Sequence, residues 1–183
     1  VDLSAWAARG QVGYTFKQHR WRPMVMYGYQ TFSGDDPNTQ KLERFDPLFF
    51  QGSPSSWATG SKSSFTFINS NVQAHQLTVS ISPTQQDKFT LRYAHIRANE
   101  LRSPIQFGQA TRFDLATGSG VVAGVTDPHL ADDIFLEYSR IINQNTFLTA
   151  GVSASVPGKG LELAANDDLP VWLGGFVNIV VNY

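Results

Sequence analysis

Apolar and polar residues alternate along most of this 183-residue chain. In the first segment, Val12, Tyr14 and Phe16 fall on one face of a strand, while Gln11 and Lys17 fall on the other, because successive side chains of a strand point to opposite faces. The last two ladders alternate most sharply. The pattern predicts seven strands, near residues 4–17, 23–33, 72–82, 88–98, 132–142, 146–156 and 170–183.

The connections between these strands alternate in length. They are short after the first, third and fifth strands and long after the second, fourth and sixth. An up-and-down barrel in an outer membrane has short periplasmic turns at one rim and longer loops at the other, whereas soluble β domains usually mix the two. The ladders also have roughly the 9 to 11 residues that cross the hydrocarbon layer at a tilt. We therefore expect an all-β, antiparallel, up-and-down transmembrane β-barrel, with one domain over residues 1–183, in a bacterial outer membrane.

The strand count predicts a larger barrel. Bacterial barrels have an even number of strands and begin on the periplasmic side, and a periplasmic C-terminus places residue 1 at the outer surface. We expect at least one strand before Val1, so that the seven strands form the C-terminal part of the barrel. A soluble barrel such as a lipocalin, with apolar residues inward, uses the same period and is the structural alternative.

Composition supports strands and removes other classes of protein. Glycine (15), Phe (13), Tyr (6) and Trp (4) are frequent, which favours strands and turns. A net charge of −1 gives no electrostatic reason to expect nucleic acid as a partner. Cysteine is absent, which excludes disulfides and thiolate metal sites. No apolar run reaches the roughly 18 residues that a membrane-spanning helix needs.

Three short segments then point to a known family. They are Tyr14-x-Phe16 followed by Trp21-Arg22-Pro23, the strand exit Ser33-Gly34-Asp35-Asp36, and the loop segment Phe45-Asp46-Pro47-Leu48-Phe49. Together they resemble the alginate-export family of outer-membrane β-barrels, in its C-terminal portion. The resemblance implies export of an anionic exopolysaccharide through a strongly basic constriction.

The C-terminal ladder carries a second resemblance. Val177, Ile179, Val181 and Tyr183 resemble the signal by which the barrel-assembly machinery recognises outer-membrane proteins. We therefore expect the lipid bilayer, this machinery and a polar solute or polysaccharide as partners. Other envelope proteins are further candidates.

Side chains in the lumen decide what a hydrated channel passes, because fixed charges must attract the permeant weakly enough to release it. The polar faces of the strands supply six candidate pore-lining residues: Arg9, Gln11, Lys17, Arg92, Asp133 and Glu137. The two acids either oppose a polyanion or pair with Arg9 and Arg92, and such pairing explains the arginines as well as a transport role does. The acids depart from the basic constriction that the resemblance implies.

Metal sites have weak support in the sequence. Asp35, Asp36 and Asp46 in the second connection could gather around a calcium ion, since clustered carboxylates suit a hard cation, but such residues more often form turns. The histidines lack ligand spacing such as His-x-x-x-His, so we expect no transition-metal site and no other cofactor. They are His19, His75, His95 and His129.

The sequence leaves three functional interpretations, of which a porin-like outer-membrane channel for a polysaccharide or other polar solute is preferred. The second is a structural or scaffold barrel with a filled lumen; Phe49, Phe50 and Trp57 in the second connection could fold into the pore or cover it. The third is a rim enzyme around His129, Asp132 and Asp133. No nucleophile with a positioned base can be assigned, so we expect that the protein is not an enzyme.

Overall fold

The computed structural model describes residues 2–46, 70–105, 111–114, 119–122 and 124–183. The loop residues Phe49, Phe50 and Trp57, and with them Pro47 and Leu48, lie outside the described residues, so their position relative to the pore stays a prediction. In the part of the chain that is described, no helix is long and apolar enough to cross a membrane.

Seven antiparallel strands form one sheet. The strands are β1 (Ala7–Thr15), β2 (Met24–Phe32), β3 (Val72–Ile81), β4 (Asp87–Ala98), β7 (His129–Asn143), β8 (Thr146–Pro157) and β9 (Trp172–Val181), while a separate hairpin pairs β5 (Thr111–Asp114) with β6 (Ser119–Val122). The sheet order is β1-β2-β3-β4-β7-β8-β9, with β1 and β9 at its edges. The all-β, up-and-down fold expected from the sequence is confirmed. The extent of the single domain stays a prediction.

Short and long connections lie at opposite ends of the sheet. Residues 16–23, 82–86 and 144–145 form the short-turn end, and the connections after β2, β4 and β8 form the long-connection end. Local side chains hold the short turns. The hydroxyl of Thr84 accepts a hydrogen bond from the backbone N–H of Asp87 at 3.0 Å, and Asn143 Oδ1 accepts one from the N–H of Asn145 at 2.9 Å. These are turn contacts that Thr and Asn make with their own neighbourhood.

The two faces of the sheet differ in polarity and in exposure. One face, called the outer face, exposes apolar side chains such as Val12 (69%), Leu91 (47%) and Val177 (72%). The opposite, inner face buries polar side chains, among them Gln76, Thr78, Ser80, Thr90, Asp133, Ser153 and Ser155. A soluble barrel buries its apolar face instead. The arrangement is the one expected of a barrel wall that faces lipid on its outside.

Polar rows bound the apolar band of the outer face. At the short-turn end, Tyr138 Oη donates a hydrogen bond to Asp87 Oδ1 at 2.7 Å. At the long-connection end, Tyr93 Oη donates one to Asp132 Oδ1 at 2.6 Å, and His95 Nδ1 lies 2.8 Å from the same oxygen. Asp87 and His95 are eight positions apart on β4, which is about 26 Å of strand and, at a tilt of about 40°, roughly 20 Å of membrane thickness. The height of this apolar band is therefore close to that of the lipid-facing apolar band of an outer-membrane barrel.

An apolar cluster lies on the inner face at the long-connection end. Its strand residues include Val72, Ala94, Ile96, Leu130 and Ala131, and the connections add Ile105, Val125 and Leu161. Leu161 belongs to α1 (Lys159–Ala165), a short helix in the last long connection that sequence analysis did not predict. Gly160 lets α1 approach the start of β7, because a Cβ at this position would overlap the carbonyl oxygens of Asp127 and His129. The long connections thus pack against the inside of the sheet.

Two asparagines join the long connections. Asn71, in the left-handed conformation at φ 56°, donates from Nδ2 to the carbonyl oxygens of Glu100 (2.9 Å) and Ser103 (3.0 Å). Asn99 donates to the carbonyl oxygen of Phe32 at 2.6 Å. Because Asn71 and Ser103 are buried, these amides satisfy backbone groups that water cannot reach. The connections after β2 and β4 are therefore held together where they leave the sheet.

Candidate functional site on the inner face and at the sheet ends

The candidate pore-lining residues share the inner face, with one exception. Arg9 and Gln11 on β1 pair with Gln30 and Gly28, and Arg92 on β4 pairs with Phe135. Asp133 and Glu137 on β7 lie on the same face as Phe135, because each is two residues from it along the strand. Lys17 lies beyond β1, in the first short turn. The role of these residues in lining a pore stays a prediction.

Arg92 is held between an acid and an aromatic ring. Its Nη2 lies 3.9 Å from Glu137 Oε1, and its Cζ lies 5.5 Å from the centre of the Phe135 ring. An aromatic face attracts a guanidinium, and a partly buried charge is normally paired. The Arg92–Glu137 pairing that the sequence left open is thus present. The pair is loose and the Arg92 side chain is 24% exposed, which leaves the guanidinium accessible from the inner face.

Asp133 is the buried acid of this face. It is 3% exposed, and it accepts a hydrogen bond from Ser155, its neighbour across β7 and β8. Ser155 is itself buried. The Asp133 carboxylate is therefore enclosed and not accessible from the inner face.

The short-turn end is basic. Lys17, Arg20 and Arg22 lie in its first turn. Near the ends of β4 and β7 that adjoin these turns, Lys88 and Arg140 add two more basic side chains, and Asp87 is the acid beside them. Arg140 Nη1 lies 3.1 Å from Asp87 Oδ1, whereas Arg20, Arg22 and Lys88 have no ion pair within the described part of the chain. Arg20, Arg22, Lys88 and Arg140 line one pocket of about 670 Å³. Of these basic residues, the sequence pattern predicted only Lys17 as pore-lining, because Arg20 and Arg22 lie in a turn and Lys88 and Arg140 lie near strand ends, where alternation within a strand does not show that they share one pocket.

The long-connection end has the opposite charge. In residues 33–46, 99–105, 124–128 and 158–171, nine acids accompany four basic residues. The acids are Asp35, Asp36, Glu43, Asp46, Glu100, Asp127, Glu162, Asp167 and Asp168, and the basic residues are Lys41, Arg44, Arg102 and Lys159. The sheet therefore joins a basic end to an acidic end, although the net charge of the chain is only −1.

The Ser33-Gly34-Asp35-Asp36 segment anchors the second connection. Ser33 Oγ accepts a hydrogen bond from the N–H of Trp6, Asp35 Oδ1 accepts one from Glu43, and Asp36 Oδ1 accepts one from Asn38. A Cβ at Gly34 would overlap the Asn71 side chain. Among the described residues, the ligand atoms of Asp35, Asp36 and Asp46 do not converge. The calcium site proposed for them stays a prediction, and the geometry is that of a turn.

The two acids of the rim-enzyme interpretation, Asp132 and Asp133, lie on opposite faces of the sheet. Asp132 contacts His129 and His95 on the outer face, whereas Asp133 lies on the inner face with Ser155. Adjacent residues of a strand point to opposite faces, so the two carboxylates cannot act on one substrate.

The C-terminal ladder forms part of the outer face. On the edge strand β9, Val177, Ile179 and Val181 are 72%, 60% and 57% exposed, and Tyr183 follows the strand. The row is apolar and accessible along the sheet edge. Its role as an assembly signal stays a prediction.

A family model described as Alginate export matches residues 2–158 of the chain. A search with the whole chain found no match among curated proteins. The matched residues include the strands from β1 to β8, all six candidate pore-lining residues and the basic residues of the short-turn end. They also include the Ser33-Gly34-Asp35-Asp36 segment.

Proposed function

Because the chain belongs to the alginate export family of outer-membrane β-barrels, we propose that its sheet forms part of the wall of an outer-membrane channel for an anionic polysaccharide. The family is a transport family and not an enzyme family. The observation that carries the proposal is the charge difference between the two ends of the sheet, with a polar inner face between them.

The basic short-turn end is the proposed entrance. Short turns of outer-membrane barrels lie on the periplasmic side, where a polymer awaiting export is located. Clustered charges of one sign at a cleft raise the local concentration of an oppositely charged solute. Screening limits their reach to about 8 Å at physiological ionic strength. Arg20, Arg22 and Lys88 line one pocket, so they would act together on carboxylates close to the mouth.

The inner face supports passage without tight binding. Gln76, Thr78, Ser80 and Thr90 are buried, polar and uncharged, so they add no fixed charge to the inner face that would hold the polymer. Arg92 offers one partly exposed cation whose charge is offset by Glu137. A channel must bind its permeant weakly enough to release it. At the long-connection end, the excess of acids disfavours return of the released polymer.

A scaffold barrel with a filled lumen is the second candidate. The apolar cluster of Ile105, Val125 and Leu161 against β3, β4 and β7 favours it, because these connections already occupy part of the inner face. A lumen closed by such packing would carry no current. Conductance therefore separates the two candidates.

The test is polymer block of single channels of the natural protein in planar bilayers. An anionic polyuronate added at the short-turn side should reduce the current, and a neutral dextran of similar length should reduce it far less. Each exposed charge is worth about 0.5 kcal/mol, so replacing Arg20, Arg22 and Lys88 together by Gln should weaken the block by on the order of tenfold.

The matched control replaces three exposed basic residues at the other end, Lys41, Arg102 and Lys159, by Gln. This variant should be blocked from the short-turn side like the natural protein. Absence of conductance would support the scaffold candidate. Equal block by polyuronate and dextran would contradict selection for an anionic polymer.

A further inference from the structure

Two histidines and an aspartate converge on the outer face, away from the inner surface that the channel proposal uses. His95 Nδ1 lies 2.8 Å from Asp132 Oδ1, and His129 Nε2 lies 2.8 Å from Asp132 Oδ2. One ligand atom from each of the three residues lies within 4.8 Å of the others. The side chains are partly exposed, at 33%, 35% and 27% for His95, His129 and Asp132. A small ion can therefore reach them from solution.

A β-bulge brings these residues to one face. His129 and Asp132 are three positions apart, and in a regular strand an odd spacing places two side chains on opposite faces. In β7, however, Ala131 pairs with Ile96 and His129 pairs with Arg97, so that Leu130 is the extra residue. The buried Leu130 joins the apolar cluster, and His129 lies beside Asp132. Bulges commonly re-aim a side chain next to a functional site.

Neighbouring groups orient the aspartate and the imidazoles. Tyr93 Oη donates a hydrogen bond to Asp132 Oδ1 at 2.6 Å, and the rings of His95 and His129 stack with their centres 5.0 Å apart. A metal-ligating carboxylate is usually hydrogen-bonded in this way by a residue that does not touch the ion. His75, which pairs with His95 across β3 and β4, instead bonds Tyr27 Oη at 2.7 Å.

We propose that His95, His129 and Asp132 bind a divalent transition-metal ion of the zinc class. Two imidazoles and one carboxylate with an open fourth position are a common zinc ligand set, whereas calcium and magnesium prefer oxygen ligands only. Ligand atoms of a tetrahedral zinc site lie roughly 3.3 Å apart. Small rotations of the three side chains would give this separation.

A bound ion would stabilise the two ends of the connection between β4 and β7. His95 lies near the end of β4, and His129 and Asp132 lie at the start of β7. An ion held by both strands would join them where residues 99–128 leave and re-enter the sheet. This role does not depend on the solute that the inner face passes.

The test measures Zn²⁺ binding to the natural protein in detergent micelles after treatment with a chelator. Calorimetry should find one Zn²⁺ site in the natural protein. Each of His95→Gln, His129→Gln and Asp132→Asn should weaken the affinity of this site for Zn²⁺ by at least about 100-fold. Tyr93→Phe should weaken it by about tenfold, the range typical of a residue that orients a ligand. His75→Gln is the matched control, since it removes the neighbouring histidine, and it should change affinity less than twofold.

Co²⁺ provides a readout that needs no variant. Visible absorption bands of a four- or five-coordinate Co²⁺ ion with the natural protein would support the site. A spectrum like that of the hydrated ion would overturn it, and so would Zn²⁺ affinity that is unchanged in Asp132→Asn. Either of these results would leave a cluster held by hydrogen bonds alone.

Discussion

At the short-turn end, hydrogen bonds within each turn join near neighbours in the sequence, such as Thr84 and Asp87, and Asp87 also binds Tyr138 across β4 and β7. At the long-connection end, they join residues far apart, such as Asn99 and Phe32, which are 67 positions apart. The buried apolar cluster also lies at the long-connection end. Local contacts thus shape each short turn, whereas the long-connection end depends on a buried apolar cluster and on contacts between distant connections.

The ends also differ in charge, and the proposed function rests on this difference. Basic residues collect where the turns are short, and acids collect where the connections are long. Short turns cover little of the inner face, so under the proposed function the charges there are accessible to a polymer. The long-connection end combines apolar packing inside the sheet with acids in the connections. We therefore expect substitutions at the long-connection end to affect stability most, and those at the short-turn end to affect solute selection.

The largest loss of stability is expected for Leu130→Ala. Leu130 is fully buried in the cluster, and truncating such a leucine costs about 2–5 kcal/mol. Leu163→Ala on α1 is the control, because Leu163 is 48% exposed. Urea unfolding of the barrel in lipid vesicles measures both variants. Equal losses would mean that the cluster does not stabilise the long-connection end.

A smaller loss is expected for Asn71→Ala. The substitution leaves the carbonyl oxygens of Glu100 and Ser103 without this donor, and such losses cost about 1–3 kcal/mol. The connection after β4 should also become more sensitive to added protease, since local opening exposes backbone to cleavage. Asn38→Ala, at an exposed turn contact, should leave the cleavage rate unchanged. Equal cleavage of both variants would argue against the anchor.

Arg92→Gln tests the region between the two ends. Loss of the loose ion pair with Glu137 should cost on the order of 1 kcal/mol or less. The same change leaves Glu137 without its cation, so the preference for anions should fall. The reversal potential of single channels under a salt gradient measures this preference. Arg97→Gln is the control, because Arg97 is on the outer face opposite His129, and a shift of equal size there would contradict the assignment of Arg92 to the lumen.

The smallest effect on stability is expected at the short-turn end, for Asp87→Asn. The contacts of Asp87 with Thr84, Tyr138 and Arg140 are weakened but not removed, because an amide oxygen still accepts hydrogen bonds, and the ion pair with the exposed Arg140 is worth little. The urea midpoint should fall less than in Leu130→Ala or Asn71→Ala. Gln85→Ala, an exposed change in the same turn, should leave it unaltered. A loss larger than that of Asn71→Ala would reverse the comparison between the ends.

Period-two alternation predicted the seven strands well, because one face of each strand is apolar and exposed along most of its length. The alternation did not predict features that tertiary packing determines, such as the start of β7 and the helix α1. β7 begins at His129 rather than near residue 132, because the bulge at Leu130 continues the pairing. The helix α1 contains Gly160, which has low helix propensity, and it forms where the chain packs on β7.

The candidate site was predictable only in part. Strand parity placed Arg92, Asp133 and Glu137 on one face, and the structure has them there. Parity could not reveal that His129 and Asp132 share a face, since their spacing is odd and the bulge is set by packing. It also could not reveal the basic pocket, whose residues come from turns and strand ends. A count of charges in the connections would have found the difference between the ends.

Accessibility of single cysteines in intact cells tests the orientation of the two ends most directly. The chain has no cysteine, so each introduced thiol is unique within it. A maleimide too large to cross the outer membrane should label Asn38→Cys in the second connection, and it should label Gln85→Cys in a short turn only after the membrane is permeabilised. Labelling of Gln85→Cys in intact cells, with Asn38→Cys protected, would contradict the orientation and with it the proposed path of the polymer.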